Sequence, residues 1–327
     1  MVTHPVKWGI LGASNFAKSS MAPAIHAAKG AQLAALATSS PAKAEGFLAF
    51  APQMQVHSSY EALLADPQIE AVYVPLPNHL HIEWALKALD AGKHVLVEKP
   101  LAMQADGFDA VIAKRDATGL LAAEAYMIVH HPQFIRAREM VQGGEIGRLV
   151  HVDAVFSYDN RNMDNIRNRP ETGGGGLPDI GVYTFGAVRF VSGQEPVAIT
   201  NTNLRFENGV DTFAQITAAF ADFSYTSLVS MRIFPRQEIV FHGEKGVIKL
   251  TCPFNAGTFD QAELELSTGA NTRTVLRYPN VNQYVLQVEN FCRSLRESVA
   301  YPCPLEFSQK TQAMIDMVYA ADRQKQG

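Results

Sequence analysis

The chain has 327 residues, of which 47% are hydrophobic, and a net charge of −4 from 28 basic and 32 acidic residues. This length suits two domains, and the dispersed charge excludes the basic footprint of a nucleic-acid-binding protein. The opening residues do not form a signal peptide, and no apolar run of about 18 residues could span a bilayer. We therefore expect a cytoplasmic protein that binds small molecules and has no nucleic-acid or membrane partner. The scattered cysteines, Cys252, Cys292 and Cys303, predict neither a disulfide framework nor a zinc site.

The first part of the chain alternates short apolar runs with helical patterns. Strands are predicted at 6–11, 31–37, 71–74, 95–97 and 120–123. Helices are predicted at 15–28, 41–50, 78–91 and 104–118. Repeated alternation of strand and helix predicts a parallel sheet with helices on both faces. Residues 1–125 are therefore interpreted as a dinucleotide-binding domain.

The rest of the chain, residues 126–327, has a different pattern. A helix at 132–142 leads into a strand at 149–158, a polar loop at 159–176 and a helix at 178–192. Strands then follow with few helices between them, at 196–206, 211–221, 224–232, 236–241, 246–251, 261–267 and 272–277, before closing helices at 283–298 and 308–323. This order predicts a second α/β domain on a mostly antiparallel sheet, so the fold class is α/β.

A glycine turn follows the first predicted strand. Gly12 follows that strand and precedes a predicted helix, which is the setting of a dinucleotide fingerprint. Serine takes the place of the usual second glycine, and alanine that of the third. We predict cofactor contacts from Gly12, Ser14, Asn15, Phe16 and Ala17. The alternative is a glycine turn without a ligand.

The end of the second strand indicates which cofactor binds. A carboxylate that would hold a ribose 2′-hydroxyl is missing, and Thr38, Ser39, Ser40 and Lys43 could instead bind a 2′-phosphate. We therefore expect a preference for NADP, with NAD as the other candidate. Hydroxyl residues before a proline are also common amino-terminal caps of helices, so capping remains the alternative.

Two prolines end the strand at 71–74, in the segment Pro-Leu-Pro-Asn-His-Leu-His at 75–81. Leu76, Asn78 and His81 are candidate cofactor contacts at this sheet edge. Asn78 could equally cap the following helix. His79 and His81 are two residues apart and do not share a helical face, so no metal is predicted.

A charge pair, Glu98 and Lys99, follows the buried strand at 95–97. Open α/β sheets place their chemistry at the carboxyl ends of strands. Both residues are therefore candidate site residues, with an ordinary ion pair at a strand end as the alternative.

These motifs together resemble the Gfo/Idh/MocA oxidoreductase family, which includes glucose-fructose oxidoreductase and inositol dehydrogenase. The resemblance rests on Trp-Gly-Ile-Leu-Gly-Ala-Ser at 8–14, Pro-Asn-His-Leu-His at 77–81 and Glu-Lys-Pro-Leu at 98–101. It implies a Rossmann domain followed by an α/β domain with an open mixed sheet, whose exposed face is buried in a homodimer or homotetramer. It also implies that Lys99 works beside the nicotinamide and that the Lys99–Pro100 bond is cis.

The glycine-rich segment at 173–176 precedes a helix that carries Asp179 and Tyr183 on one face. Many members of the family have histidine at the second position, and tyrosine resembles the sugar-oxidising and dihydrodiol-oxidising branches. A nearby ammonium such as Lys99 would lower the pKa of the phenol from about 10 and make Tyr183 a usable base. Asp179 would orient Lys99 or bind a substrate hydroxyl. The alternative is a helix-start aspartate and a core tyrosine.

Further candidates lie beside these motifs. Tyr126 follows the last strand of the first domain and is expected to line the substrate pocket, whereas Val129 replaces an arginine that is common in the family. Arg167, in the donor-rich loop, is a candidate substrate ligand, although a solvated loop is the simpler interpretation. His130 and His131 are interpreted as structural residues.

The sequence thus predicts an NADP-preferring oxidoreductase that acts on a hydroxyl of a sugar, cyclic polyol or diol, or on the matching carbonyl. Tyr183 would be the base, supported by Lys99 and Asp179 across a crevice between the two domains. The alternatives are a keto-sugar reductase of the anhydrofructose type and a nucleotide-sensing protein without catalysis.

Overall fold

The computed structural model describes residues 4–326. They form two compact units, one of residues 4–127 and 282–308 and the other of residues 128–281 and 309–326. The first unit therefore includes a segment that follows the second in sequence. Residues 1–3 and 327 belong to the predicted domain ranges but lie outside the described residues, and the predicted boundary near residue 125 stays a prediction.

The first unit contains a six-stranded sheet. Its strands are β1 (Val6–Leu11), β2 (Ala31–Ala37), β3 (Gln55–His57), β4 (Ala71–Val74), β5 (His94–Val97) and β6 (Ala122–Glu124). They are parallel and lie in the order β3-β2-β1-β4-β5-β6. This is the strand order of a Rossmann fold, in which ligands bind where the order reverses beside β1. The predicted parallel sheet is confirmed.

The helices of this unit cover the sheet. They are a π-helical turn at Ala17–Met21, the short helices Asn78–Leu80 and Met127–His130, which reaches into the second unit, and the α-helices Ala22–Ala27, Pro41–Leu48, Tyr60–Leu64, His81–Asp90, Gly107–Thr118 and Gln283–Glu297. All four residues of β4 are buried, as expected for a strand that is covered on both faces. The helix Gln283–Glu297 packs on β1, where the rings of Trp8 and Phe291 are 4.9 Å apart.

The second unit contains an eight-stranded sheet. Its strands are β7 (Leu149–Asp159), β8 (Pro196–Glu207), β9 (Val210–Phe220), β10 (Ser224–Ser230), β11 (Arg232–Gly243), β12 (Val247–Leu250), β13 (Glu263–Gly269) and β14 (Thr272–Arg277). They lie in the order β14-β13-β12-β11-β7-β10-β9-β8. The pair β7–β10 is parallel and the other neighbouring pairs are antiparallel, so the predicted mostly antiparallel sheet is confirmed.

Helices cover one face of this sheet. They are Pro132–Gln142, the turns Ile166–Asn168 and Pro170–Thr172, the π-helical turn Leu177–Gly181, the helix Val182–Ser192 and most of the helix Leu305–Gln326. Along β7 the side chains of Val152, Ala154 and Phe156 are buried. They alternate with the less buried His151, Asp153 and Val155, because successive strand residues point to opposite faces.

The structure also bears on the predictions about membrane spans, cysteines and His131. No helix within residues 4–326 is long and apolar enough to cross a membrane. The three cysteines are buried thiols. His131 is buried and occupies the N-cap of the helix Pro132–Gln142, where its Nδ1 accepts a hydrogen bond of 3.1 Å from the backbone N–H of Gln133.

The cap formed by His131 predicts a dependence of stability on pH. Burial lowers the pKa of this imidazole to about 4, below the unfolded value of about 6.5. Its contribution to stability is therefore fully present above pH ~6.5 and is lost as the pH falls towards about 4. The substitution His131→Asn keeps a capping acceptor and removes the titration. We expect it to reduce the slope of unfolding free energy against pH, between about 6 and 4.5, by about 1 kcal/mol per unit, since the unfolded state there binds nearly one proton more.

Urea unfolding at a series of pH values measures this slope. His242→Asn, which changes an exposed histidine of the same unit, is the matched control and should leave the slope unchanged. An identical slope in His131→Asn and the wild type would contradict the interpretation of the cap.

Candidate functional site

The turn after β1 requires glycine. Gly12 has a φ of +110°, and a Cβ atom there would lie 3.1 Å from Leu76 Cδ2 and 3.2 Å from the Tyr60 hydroxyl. Its N–H donates to the carbonyl of Ala37 over 3.0 Å, which ties the turn to β2. A bare backbone at this place lets a pyrophosphate approach closely, so the turn fits the dinucleotide that the sequence predicts.

The residues after Gly12 start a helix. Ser14 Oγ accepts a hydrogen bond of 3.0 Å from the N–H of Ala17, the first residue of the π-helical turn. A hydroxyl that accepts one bond can still donate its own hydrogen to a phosphate oxygen. Asn15 is exposed, and Phe16 is 37% exposed with its ring edge-on to that of Tyr284 at 5.6 Å. The positions predicted from the sequence therefore surround one helix amino terminus, which favours an anionic ligand.

The end of β2 presents hydroxyl groups and an amine. Thr38 Oγ1 accepts a hydrogen bond of 3.2 Å from the N–H of Ser40 and so shapes the loop. Ser40 occupies the N-cap of the helix Pro41–Leu48, but its side chain makes no capping bond. Ser39 and Lys43 are exposed. The capping alternative therefore does not account for these hydroxyls, and the loop carries donors that suit a 2′-phosphate.

The end of β4 differs in detail from the prediction. Pro77, not Asn78, is the N-cap of the short helix Asn78–Leu80, so the capping role considered for Asn78 is wrong. His81 has no exposed surface, and its ring nitrogens lie 2.8 Å from the carbonyl oxygen of Pro100 and 2.7 Å from that of Leu76. Contact between His81 and a cofactor stays a prediction. Because the His81 side chain is fully buried, such a contact would require the residues around it to move.

Buried side chains hold the turn that carries Lys99. Tyr73 donates a hydrogen bond of 2.5 Å to Glu98 Oε1, and Glu124 Oε1 accepts one of 2.8 Å from the N–H of Leu101. His81 contacts the carbonyl of Pro100 between them. The Lys99–Pro100 bond is cis, as the resemblance implied. The N–H of Lys99 also donates to Glu98 Oε2 over 3.3 Å, so hydrogen bonds hold the residues on both sides of Lys99.

The groups beneath this turn favour their neutral forms. Burial raises the pKa of the Glu124 carboxyl and lowers the pKa of the His81 imidazole. Both shifts have the same cause, because burial penalises a charged group that cannot reach water. Glu124 and His81 therefore support the turn through contacts with its backbone.

In the second unit the glycine run makes close backbone approaches. Gly175 has a φ of +133°, and a Cβ atom there would overlap the carboxylate of Asp211. Asp211 Oδ2 in turn accepts a hydrogen bond of 2.7 Å from the N–H of Leu177, where the helix begins. Tyr319 donates to Asp211 Oδ1 over 2.6 Å. Asp211 therefore anchors the start of the helix that carries the predicted base.

Both oxygens of Asp179 accept bonds from this unit. Arg167 Nε lies 2.8 Å from Oδ1, and the Tyr158 hydroxyl donates to Oδ2 over 2.6 Å. The carboxylate raises the pKa of the Arg167 guanidinium, and burial with Asp179 raises the pKa of the Tyr158 phenol. Both partners therefore stay protonated as donors. The structure brings the predicted residues Asp179 and Arg167 together as an ion pair.

Tyr183 lies at the start of the helix Val182–Ser192 and is 7% exposed. Its ring centroid is 5.8 Å from that of Phe156 and 6.0 Å from that of Phe254. Phe156 and Phe254 are themselves stacked at 4.9 Å. This aromatic cluster restricts the orientation of the Tyr183 ring, as the predicted role of a base would require.

Tyr126 is 1% exposed, and its ring lies 6.1 Å from that of Phe307. A contact between Tyr126 and substrate stays a prediction, one that depends on movement of the packing around it. Within residues 4–326, no group of three or more His, Cys, Asp or Glu side chains is arranged to hold a metal ion.

Sequence reasoning missed four residues that shape these sites: Tyr73, Glu124, Tyr158 and Asp211. For Tyr158 a signal existed, because it lies two residues after Phe156 on the predicted strand and therefore shares its face. For Glu124 and Asp211 the only signal was an acidic residue within or next to an apolar run. Such a residue is buried only with partners, and the sequence does not name them.

Comparison with known proteins agrees with this description. Residues 6–126 match the family model described as the oxidoreductase family with an NAD-binding Rossmann fold, and residues 134–249 match the GFO/IDH/MocA C-terminal domain. The chain is 33% identical over 317 residues to D-xylose 1-dehydrogenase (NADP(+)) 2 of Haloferax volcanii, covering 95% of this chain and 96% of that protein.

Two further similarities involve reductases. The chain is 35% identical over 218 residues to the 1,5-anhydro-D-fructose reductase of Ensifer adhaerens, covering 63% of each. A crystal structure of a 3-ketoreductase from Actinomadura kijaniata, in complex with NADP and TDP-benzene, superposes with a TM-score of 0.87 at 26% identity. That similarity covers 97% of this chain and 98% of the other.

The fold and the matched models define an oxidoreductase with a Rossmann domain. The chain belongs to the Gfo/Idh/MocA family.

Proposed function

We propose that this protein is an NADP-preferring dehydrogenase or reductase that acts on a CH–OH group of a sugar, cyclic polyol or diol. The observation that carries the proposal is the position of Lys99, at the carboxyl end of β5 in a turn held by buried side chains. The similarity over nearly the whole chain to an NADP-dependent D-xylose dehydrogenase supports the same class of substrate and cofactor.

The preference for NADP is supported by the loop after β2. It has no carboxylate to repel a 2′-phosphate, and Ser39, Ser40 and Lys43 offer donors to one. The turn at Gly12 and the hydroxyl of Ser14 fit a pyrophosphate. When bound, the nicotinamide supplies the hydride chemistry.

In this proposal, side chains of the protein transfer the proton to and from the substrate oxygen. In the oxidising direction, the Tyr183 phenolate takes the proton of the substrate hydroxyl, and in the reducing direction its phenol returns the proton to the carbonyl oxygen. The Lys99 ammonium stabilises the phenolate and holds the substrate oxygen. Phe156 and Phe254 keep the Tyr183 ring from rotating out of line.

Asp179 supports this pair as a fixed negative charge. Arg167 neutralises part of that charge, and 41% of the Arg167 side chain is exposed, so its remaining donors can meet substrate hydroxyls. Polyhydroxylated substrates suit such a donor-rich surface, which favours an aldose or a cyclic diol.

A keto-sugar reductase is the second candidate. The similarities to an anhydrofructose reductase and to a 3-ketoreductase favour it. The same residues serve either direction, because proton transfer is reversible.

A cofactor-sensing protein without catalysis is the third candidate function, and the presence of both Lys99 and Tyr183 argues against it. Absorbance of the reduced cofactor during incubation with aldoses, polyols, diols and keto sugars distinguishes the three, and no turnover of any of them would leave only the sensor.

We further infer that the chain assembles into a homodimer or homotetramer through the second sheet. Three large apolar side chains on its strands are strongly exposed: Phe234 by 88%, Val197 by 66% and Phe206 by 50%. Exposed apolar groups of this size on a sheet are typical of surfaces that other chains cover.

Replacement of the predicted base should slow the reaction. We expect Tyr183→Phe to lower kcat by about 10² to 10⁴ because it removes the proton acceptor but keeps the ring and its packing. The dissociation constant of NADP, measured by fluorescence titration, should be nearly unchanged. Tyr225→Phe, which changes a buried phenol of the same unit, is the matched control. Wild-type turnover in Tyr183→Phe would eliminate Tyr183 as the base.

The loop after β2 is tested by Lys43→Met. Loss of one charge-assisted contact to the 2′-phosphate should weaken NADP binding by about 10-fold or more and leave NAD binding unchanged. Lys114→Met, which removes an exposed amine paired with Asp90 at 2.5 Å, is the control and should change neither. Equal weakening of both cofactors by Lys43→Met would refute the assigned role.

Assembly is tested by light scattering. The wild type should have two or four times the mass of one chain, and Phe234→Asp should shift the distribution towards a single chain because a buried carboxylate is costly. Val299→Asp, at an apolar residue outside the sheet that is 41% exposed, should retain the wild-type mass. A monomeric wild type at all concentrations would exclude the inference.

A further inference from the structure

The carboxylate of Asp179 is held by burial and by two side-chain donors, which its predicted role of orienting Lys99 or binding a substrate hydroxyl does not by itself require. It is 8% exposed, and each of its oxygens accepts a bond from a side chain of the same unit. The Tyr158 bond of 2.6 Å and the Arg167 bond of 2.8 Å are short and charge-assisted. A buried carboxylate with two such donors is fixed both in orientation and in charge.

The donor on the Oδ2 side is itself rigidly placed. Tyr158 lies at the end of β7, two residues after Phe156, and β7 is an interior strand between β10 and β11. Phe156 contacts the ring of Tyr183 at 5.8 Å between centroids. One strand therefore supports the predicted base through Phe156 and the carboxylate near it through Tyr158.

The spacing along the helix links the two groups. Asp179 lies in the π-helical turn Leu177–Gly181, and Tyr183 follows four residues later on the continuing helix. Residues four apart share a helical face, so the charge of Asp179 acts on the environment of the phenol. A carboxylate that rotated or took up a proton would change that environment.

We propose that Tyr158 is a positioning residue, whose hydroxyl, with Arg167, holds Asp179 ionised and in one orientation for the reaction at Tyr183. This inference rests on the proposed function and names a residue that the function does not itself require. Tyr158 acts through Asp179, and no contact of Tyr158 with substrate is involved.

The experiment is a double-mutant cycle of Tyr158→Phe and Asp179→Asn, measured with the substrate on which the wild-type enzyme is most active. Tyr158→Phe keeps the ring and loses one charge-assisted bond, so kcat should fall by about 10-fold to 100-fold. The acid limb of the pH profile should move to higher pH, since a carboxylate that loses a donor binds its proton more tightly. The double variant should have the kcat of Asp179→Asn alone, because Tyr158 acts only through that carboxylate.

A substrate-free measurement accompanies the kinetics. The same cycle in urea unfolding should show coupling between the two substitutions, since they remove opposite ends of one hydrogen bond. Tyr225→Phe, from the neighbouring strand β10, should leave kcat and the pH profile as in the wild type. Additive unfolding effects, or a similar kinetic loss in Tyr225→Phe, would overturn the proposal.

The outcomes separate this inference from the proposed function. If Asp179→Asn slows turnover while Tyr158→Phe has the wild-type kcat and pH profile, only the positioning role of Tyr158 fails. If Asp179→Asn itself leaves turnover unchanged, the support assigned to Asp179 in the proposed function fails, and the inference fails with it. A double variant slower than Asp179→Asn by the full Tyr158→Phe factor would mean that Tyr158 acts independently, which also contradicts the proposal.

Discussion

The hydrogen bonds around Lys99 are the constraint on which the proposed chemistry depends. The lysine side chain is a flexible chain of four methylene groups. A fixed backbone at Lys99 therefore limits the positions that its ammonium group can reach. Tyr73, His81 and Glu124 come from three different elements and hold the residues on both sides of Lys99. A misplacement of a catalytic group by about 1 Å can cost as much as 10²-fold in rate, so such support matters as much as the group itself.

In the second unit, hydrogen bonds hold two buried carboxylates in a similar way. Asp211 anchors the start of a helix, and Asp179 on that helix is held by Arg167 and Tyr158. Each buried acid thus has donors for its oxygens, which avoids the cost of leaving a buried charge unsatisfied. The close approach of Gly175 to Asp211 explains why a side chain cannot be accommodated there.

The strands and helices were largely predictable because periodicity and turn residues are local signals. Buried strands such as β4 appear as short apolar runs, and the strands of the second sheet alternate. The strand β3 was missed because Gln55–His57 does not form an apolar run, and the helix Tyr60–Leu64 was missed because five residues are too few to show a helical period. The Glu-Lys-Pro and glycine motifs located Lys99 and Gly12 for the same local reason.

The sequence by itself thus determined the fold class, the family and the principal candidate residues, all of which are encoded in neighbouring positions. Only the tertiary structure decided which polar groups meet. It paired Asp179 with Tyr158, placed Glu124 under Leu101 and turned His81 towards two backbone carbonyls. The physical reason is that a side chain's hydrogen-bond partner is set by residues far away in the chain that folding brings near. Neither the hydrophobic period nor the spacing of motifs identifies hydrogen-bond partners that are distant in sequence.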